Sequence, residues 1–494
     1  MRNVKHPQSH FGQVDIAEIQ FDGRSRDDIP ALLKGLQYIY VDEAKRSKVF
    51  ELLERSLDSQ ASRAVGRPGM ELWRIFVLAT VKLGLNCDFD RLQDLANNHK
   101  ILRKMLGHSG WEDEYHYALQ TLVDNVSLFK PEVLAQINQV VVEAGHELLK
   151  KKPGDVLEGR CDSFVVETDV HYPTDTNLLW DAMRKIVNGV GQACSRYDVT
   201  GWRQYKYNLR QIKTRFIRIQ KARYSNSRNA EKRAKREGEV HDLYRDYLKL
   251  SKELIIKCES TLDELSKCGA FAEVAEIEHY IKHAQRQRDQ IDRRVLRGEV
   301  IPHDEKVFSI FEEHTEWVSK GKAGVPVELG VRVCVLEDQH QFVLHHRIMW
   351  KESDEKVAVA MIEAGQQRYP DLRQCSFDKG FYSPSNVTDL SERLDHLILP
   401  KKGRLSNADQ EREHTPTFRK ARRHHAAVES CINNLEVRGL DRCLSYGKAG
   451  FERHVALSIV SANLHRIGLI LQRKARARLQ NERRRKQSLL AIAA

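Results

Sequence analysis

GRCDSFVVETDVHYPTDTNLL, residues Gly159–Leu179, is the stretch from which the fold can be read. Asp162 stands at the head of the apolar run Phe164-Val165-Val166, which has the composition of a buried strand. Glu167, Asp169 and Asp175 follow within thirteen positions. A carboxylate at the start of a buried strand costs several kcal/mol unless a partner neutralises it. A divalent cation is one such partner, and it would need further ligands from elsewhere in the chain.

The 494 residues are enough for two to four domains, and 41% hydrophobic with 30% charged residues suits a water-facing globular protein. No apolar run approaches the roughly 20 residues that span a bilayer, and the N-terminus MRNVKHPQSH lacks a signal-peptide core. A cytoplasmic location without membrane attachment is expected. The nine cysteines are scattered without zinc spacing and read as free thiols of a reducing compartment. The net charge of +12 is concentrated locally. Thirteen Lys/Arg face Glu231 alone between Arg203 and Arg236, and eight face Glu482 alone between Arg473 and Lys486. Two such blocks in one chain point to a polyanionic partner, because neutralising phosphates releases counterions.

Helical periodicity dominates residues 1–152: a short helix after Asp42, an apolar helix Leu72–Leu83, a helix through Leu92 and Leu95, and one over Pro131–Lys150. These residues are expected to form a separate helical, DNA-binding domain. The strand at 161–167 and a helix from Asn177 to Val187, stopped by Asn188-Gly189, open a catalytic domain over 153–200. A basic all-α insertion follows over 201–300. Residues 301–472 complete the catalytic domain with a hairpin near Glu337–Gln341, a helix at 354–366, a strand Arg373–Phe377 and another at His396–Leu399. Residues 400–421 read as a polar loop before two closing helices, and 473–494 form a basic tail.

This order places Asp378 at a strand end and Glu429 at the edge of the helical stripe Val428, Cys431, Ile432, Leu435. An α/β mixed sheet with acids on two strands and one helix matches a ribonuclease-H-like nucleotidyl-transfer core, here interrupted by a long all-α insertion. Two-metal phosphoryl transfer holds the attacking and leaving oxygens between ions about 3.5–4 Å apart, and three carboxylates from separate elements suffice.

At residue level the chain resembles DDE-class insertion-sequence transposases, closest to the group labelled ISNCY. The resemblance rests on GRPGMELWRIFVLATVKLGL at 66–85, DSFVVETDVHYPTDTNLL at 162–179 and KGKAGVPVELGVRVCVLED at 320–338. It continues in FDKGFYSPSN at 377–386, RRHHAAVESCINNLEVRGLDR at 422–442 and GFERHVALSIVSANLHRIG at 450–468. It implies an enzyme of a bacterial mobile element that hydrolyses DNA at the element's ends and joins the 3′-OH to target DNA. The implied cofactor is a pair of Mg²⁺ ions, with Mn²⁺ as a substitute. The implied partners are double-stranded DNA, as transposon ends and as target, and at least one further copy of the chain.

Carried over, the catalytic and metal-binding acids are Asp162, Asp378 and Glu429. Asp169 is the alternative first acid, and Asp175 reads as a helix N-cap. Where related transposases carry Tyr and Arg before the Glu and Lys after it, this chain has His425 and Glu436. Arg422, Arg423 and His425 are therefore the candidates for phosphate contact beside Glu429. Lys320 and Lys322 either touch a phosphate or belong to a plain turn. Arg210, Lys213, Arg215, Arg218, Lys221 and Arg223 are the candidate DNA contacts of the insertion, with Trp202, Tyr205, Tyr207, Phe216 and Tyr224 available either for stacking or as core. The rival readings are a catalytically silent DNA-binding protein and a metal-dependent nuclease without strand transfer.

Overall fold

A central sheet draws its strands from residues 157–168 and 316–443. The computed structural model describes residues 3–5, 12–23, 25–56, 69–109, 114–152, 154–223, 230–319 and 327–493. Seven helices come first: α1 (Asp28–Val41), α2 (Glu43–Arg55), α3 (Leu72–Gly84), α4 (Phe89–Asn98), α5 (Lys100–Met105), α6 (Leu119–Val126) and α7 (Pro131–Leu148). Strand β1 (Leu157–Thr168) follows, then helices α8 (Asp175–Arg196), α9 (Tyr205–Arg223), α10 (Ala230–Lys267) and α11 (Phe271–Ile291). Next come β2 (Glu316–Ser319), the hairpin β3 (Val327–Asp338) and β4 (Val343–Met349), helix α12 (Asp354–Arg368), β5 (Leu372–Phe377), α13 (Pro384–Arg393) and β6 (His396–Ile398). The chain closes with α14 (Asn407–His414), α15 (Pro416–His425), α16 (Ala427–Leu435), β7 (Arg442–Cys443) and α17 (Gly447–Ala493).

The chain divides into two units, one of residues 1–169 with 318–494 and one of residues 170–317. In the first, the sheet runs β2-β3-β1-β5-β6, with β4 on β3 and β7 on β1. β1 lies antiparallel to β3 and parallel to β5, and β6 continues the parallel side. The expected mixed α/β sheet is therefore present. β1 is covered on both faces, which is why its apolar run is nearly continuous. Leu157 and Cys161 point into the larger core, with α12 and the N-terminal helices, while Phe164 and Val166 pack with Cys431 and Leu435 of α16 and Phe451 of α17.

Residues 1–152 were expected to stand apart, and they do not. α1, α3 and α7 share a continuous core with Leu336, Phe342 and Phe377 of the sheet and with Leu457, Val460 and Leu464 of α17. The amide of Asn463 in α17 donates both to Asn138 Oδ1 in α7 (2.8 Å) and to the Val343 carbonyl in β4 (2.9 Å), so three elements are tied at one buried point. The ring of Phe342 lies where a Cβ on Gly145 would fall, 2.2 Å away. The signals for a break at 150–154 mark only a turn, because the apolar faces on either side of it need one another.

Helices α1 and α17 cross at backbone contact. A Cβ on Gly35 would lie 2.0 Å from the Leu464 carbonyl oxygen, and one on Gly468 would lie 1.8 Å from that of Ala31. Glycine is required here by the close approach. We expect Gly468→Ala to destabilise this unit by about 2 kcal/mol, the ordinary cost of overpacking, measured as a lowered denaturant midpoint with secondary structure retained.

The second unit has its own core of Leu179, Met183, Val190, Ile212, Tyr247, Cys258, Ile277 and Ile281. Its limits correct the expected 201–300 insertion at both ends. α8, expected in the catalytic domain, belongs here and runs through Asn188-Gly189 without stopping. Gly191, two residues on, serves packing: the ring of Tyr205 fills the space its Cβ would need, at 2.2 Å. The cap of α8 is the Thr174 hydroxyl, which accepts from the Asn177 N–H. Asp175 is instead the first helical residue, ion-paired with Arg294 at 2.6 Å.

Two further expectations change. The polar segment 400–421 holds α14 and most of α15, both short and capped by Ser406 and Thr415. The closing helix extends through the basic tail to Ala493. Over Gly447–Arg484 it is long and apolar enough to cross a membrane, but 83% of its most apolar window is buried inside the protein, as in a core helix.

Candidate active site

Asp162 lies in the middle of β1, and its position follows from register. Cys161 pairs with Phe377 in the parallel β1–β5 ladder, so the next residue on each strand, Asp162 and Asp378, continues that pairing on the same face. Asp378 ends β5 and begins the short 3-10 turn Lys379–Phe381. Phe377 and Phe381 bracket it with rings 5.5 Å apart, both buried, which fixes the turn. Glu429 stands in the first turn of α16, which is held to the sheet by buried Val428, Cys431 and Leu435 while Glu429 itself stays exposed at the edge.

The three acids converge electrostatically. The backbone N–H of Ser163 donates to Asp162 Oδ1 at 2.7 Å, the one contact that favours its charged form. Against this, burial, and then the negative charges of Asp378, Asp354 and Glu429, push the Asp162 carboxyl up to about 6. A half-buried carboxylate with like charges around it is disfavoured in its charged form unless a cation neutralises it. The charges acting on it come from the carboxylates of Asp378, Asp354 and Glu429, a ligand type that hard dications such as Mg²⁺ and Mn²⁺ take. Among the alternatives for the first acid, Asp169 lies past the end of β1, exposed and near Arg442, and Asp175 is taken by Arg294.

Asp354 was not anticipated. It is the first residue of α12, and the Ser163 hydroxyl donates to its Oδ1 at 2.6 Å. Its other oxygen lies 2.8 Å from where a Cβ on Gly380 would be, so a larger residue there would push the Asp354 carboxylate aside. In the sequence, an acid in the first turn of a helix looks like an ordinary response to the helix dipole, which hides any second role.

The surrounding cations and imidazoles are placed as follows. Ser376 Oγ and His425 Nδ1 are hydrogen-bonded at 3.0 Å, and His425 Nε2 is buried without a hydrogen-bond partner. Burial lowers the His425 pKa, while Asp378 and Glu429 pull it the other way. Arg160, also unanticipated, pairs with Glu337 at 3.2 Å and donates to the Asp338 carbonyl at 2.7 Å. It lines a cavity of about 580 Å³ together with Ser376, Arg412, Phe418, Lys420 and His424. Arg422 and Arg423 are exposed on α15. Lys320 and Lys322 lie outside the described residues.

Nothing matches this chain. Comparisons with protein-family models, with curated proteins and with solved structures all return no similar protein. The site is therefore interpreted from its own residues.

In the second unit, α9 contains no acidic residue. Arg210, Lys213, Arg218, Lys221 and Arg223 are exposed, and Arg215 is half-buried against Asp246 at 2.8 Å. The aromatics divide. Trp202 is buried and donates from Nε1 to Thr261 at 2.9 Å, and Phe216 stacks on Trp180 at 5.8 Å. Tyr205 packs on Gly191, which leaves Tyr207 exposed, while Tyr224 lies outside the described residues.

Proposed function

We infer that this chain is a metal-dependent DNA nucleotidyltransferase with a ribonuclease-H-like core, acting as a DDE transposase on the ends of a bacterial insertion sequence. The observation that carries this reading is the convergence of Asp378, Asp354 and Glu429 on Asp162, from a neighbouring parallel strand and two helices. A mixed sheet bearing acids on adjacent strands and a helix is a layout that suits phosphoryl transfer between two ions. Asp162, Asp378 and Glu429 would hold Mg²⁺ or Mn²⁺, with Asp354 beside them. The bound ions would supply charge neutralisation and Lewis acidity at a phosphodiester.

The chain's own residues supply positioning. A strand centre, a strand end and a packed helix hold the three carboxylates on rigid elements. Arg422, Arg423, Lys420 and Arg160 set positive charge around an otherwise acidic site, where a DNA backbone must approach. Joining two ends to a target implies at least two protomers in the DNA complex, and DNA in a bacterial cytoplasm is the expected setting.

The test is a paired assay on oligonucleotides carrying any inverted repeats found to flank the gene. Mg²⁺-dependent cleavage and joining of a pre-cut 3′-OH end to plasmid DNA support the reading. Cleavage without joining would identify a nuclease, and binding without either would identify a silent DNA-binding protein.

The α9 stripe gives a separate expectation. Replacing Arg210, Lys213, Arg218 and Lys221 by Gln should weaken DNA binding uniformly across sequences. It should also reduce the slope of log affinity against log salt by about 3 to 4, read by fluorescence anisotropy between low and moderate salt. An unchanged slope would remove α9 from the interface.

A further inference from the structure

The second unit carries a group of side chains that the acidic site does not use. His279 and His283 sit one turn apart on α11, on the same face of the helix. The segment after Pro302 returns to that face, with Ile310 buried in the unit's core and the Ser309 hydroxyl accepting from the backbone N–H of Phe311 and of Glu312. This turn brings Glu313 Oε1 to 2.6 Å from His283 Nε2 and 3.3 Å from His279 Nε2. The three donor atoms all lie within 4.8 Å of one another.

We propose that His279, His283 and Glu313 form a metal site for Zn²⁺ or a similar late first-row dication, distinct in chemistry from the carboxylate cluster. Two imidazoles and one carboxylate are a donor set that suits zinc and that Mg²⁺ does not favour. Ligand atoms bound tetrahedrally at about 2.0–2.1 Å lie roughly 3.3 Å apart. The His279–Glu313 pair already has that spacing, and the His283–Glu313 pair reaches it by opening less than 1 Å. His283 is buried and rigid, whereas His279 and Glu313 are about half-exposed, so an ion can enter and keep a fourth position for water. A bound ion would clamp the 309–313 turn to α11.

The test uses the full-length protein with Zn²⁺ alone as the probe, in excess Mg²⁺ to occupy oxygen-donor sites. After dialysis the wild-type chain should retain one equivalent of Zn²⁺. Asp162→Asn should retain the same amount, which separates this site from the proposed active site. His279→Ala and Glu313→Gln, both at half-exposed positions that should tolerate change, should each lose the equivalent, with affinity reduced by about 100-fold or more. Co²⁺ in place of Zn²⁺ should give the intense visible absorption of a four-coordinate site in the wild type and not in the variants. No retained Zn²⁺ in the wild type, or equal retention in His279→Ala and Glu313→Gln, overturns the proposal.

Discussion

On the proposed function, Asp378→Asn should lower Mg²⁺-dependent DNA cleavage by about 10³-fold or more while DNA affinity changes less than about twofold. Asp378 is exposed just after β5 and makes no ion pair among the described residues, so the amide costs the fold little. What changes is one negative charge beside Asp162. If Asp378 holds a metal ion at the phosphodiester, the charge it loses would be lost from the transition state, not only from the bound substrate. Glu429→Gln should behave in the same way. Asp354→Asn should cost less, because the Ser163 hydroxyl already satisfies one of its oxygens. Gel assays of nicking and joining, with anisotropy for binding, separate the two quantities. Full activity of Asp378→Asn would exclude the metal-dependent reading.

Asp162→Asn should stabilise the metal-free protein at neutral pH while abolishing cleavage. The folded-state pKa of Asp162 is raised to about 6, above its ordinary 3.8. A raised carboxyl contributes stability that is fully present below the unfolded value and is lost as pH rises through the folded one. Between these two values the metal-free protein therefore loses roughly 3 kcal/mol. Above pH 6 the asparagine variant escapes that loss and should melt higher than the wild type. Near pH 4 the two should converge. Added Mg²⁺ should raise the wild-type Tm at pH 7.5 and leave the variant's unchanged. Thermal melts across pH 4 to 8, with and without Mg²⁺, give all four comparisons, and a variant that melts lower at pH 7.5 would refute the electrostatic account.

Asp162 was legible because β1 is buried on both faces, so Phe164-Val165-Val166 stands out as an apolar run with an acid at its head, and Asp378 was legible as the acid between the short strand Arg373–Phe377 and Lys379-Gly380. Glu429 was legible through the stripe Val428, Cys431, Leu435. Asp354 and Arg160 were not, because the link between Asp354 and Ser163 and that between Arg160 and Glu337 are made across chain separations that local pattern does not encode. α14 and α15 were hidden by polar composition: their helicity rests on caps at Ser406 and Thr415, with Phe418 as the buried side chain of α15. The false stop at Asn188-Gly189 shows the converse. A strong local breaker was overruled by packing against Ile277, 3.2 Å from where a Cβ on Gly189 would lie. The N-terminal helices looked like a domain because each is amphipathic, but periodicity does not say which partner covers the apolar face.

The crossing of α1 and α17 also bears on the order in which the chain can be finished. α1 is synthesised long before α17, yet Gly35 admits the backbone of α17 at Leu464, and Gly468 that of α1 at Ala31, to within contact. A nascent chain can assemble the helical unit of residues 170–317 on its own core. The larger unit cannot close until α17 is synthesised, because its core includes Leu457, Val460, Leu464 and Ile467. Synthesis of α17 thus sets when the acids first share a rigid frame, and a chain cut short before Gly447 leaves α1 with its glycine face bare.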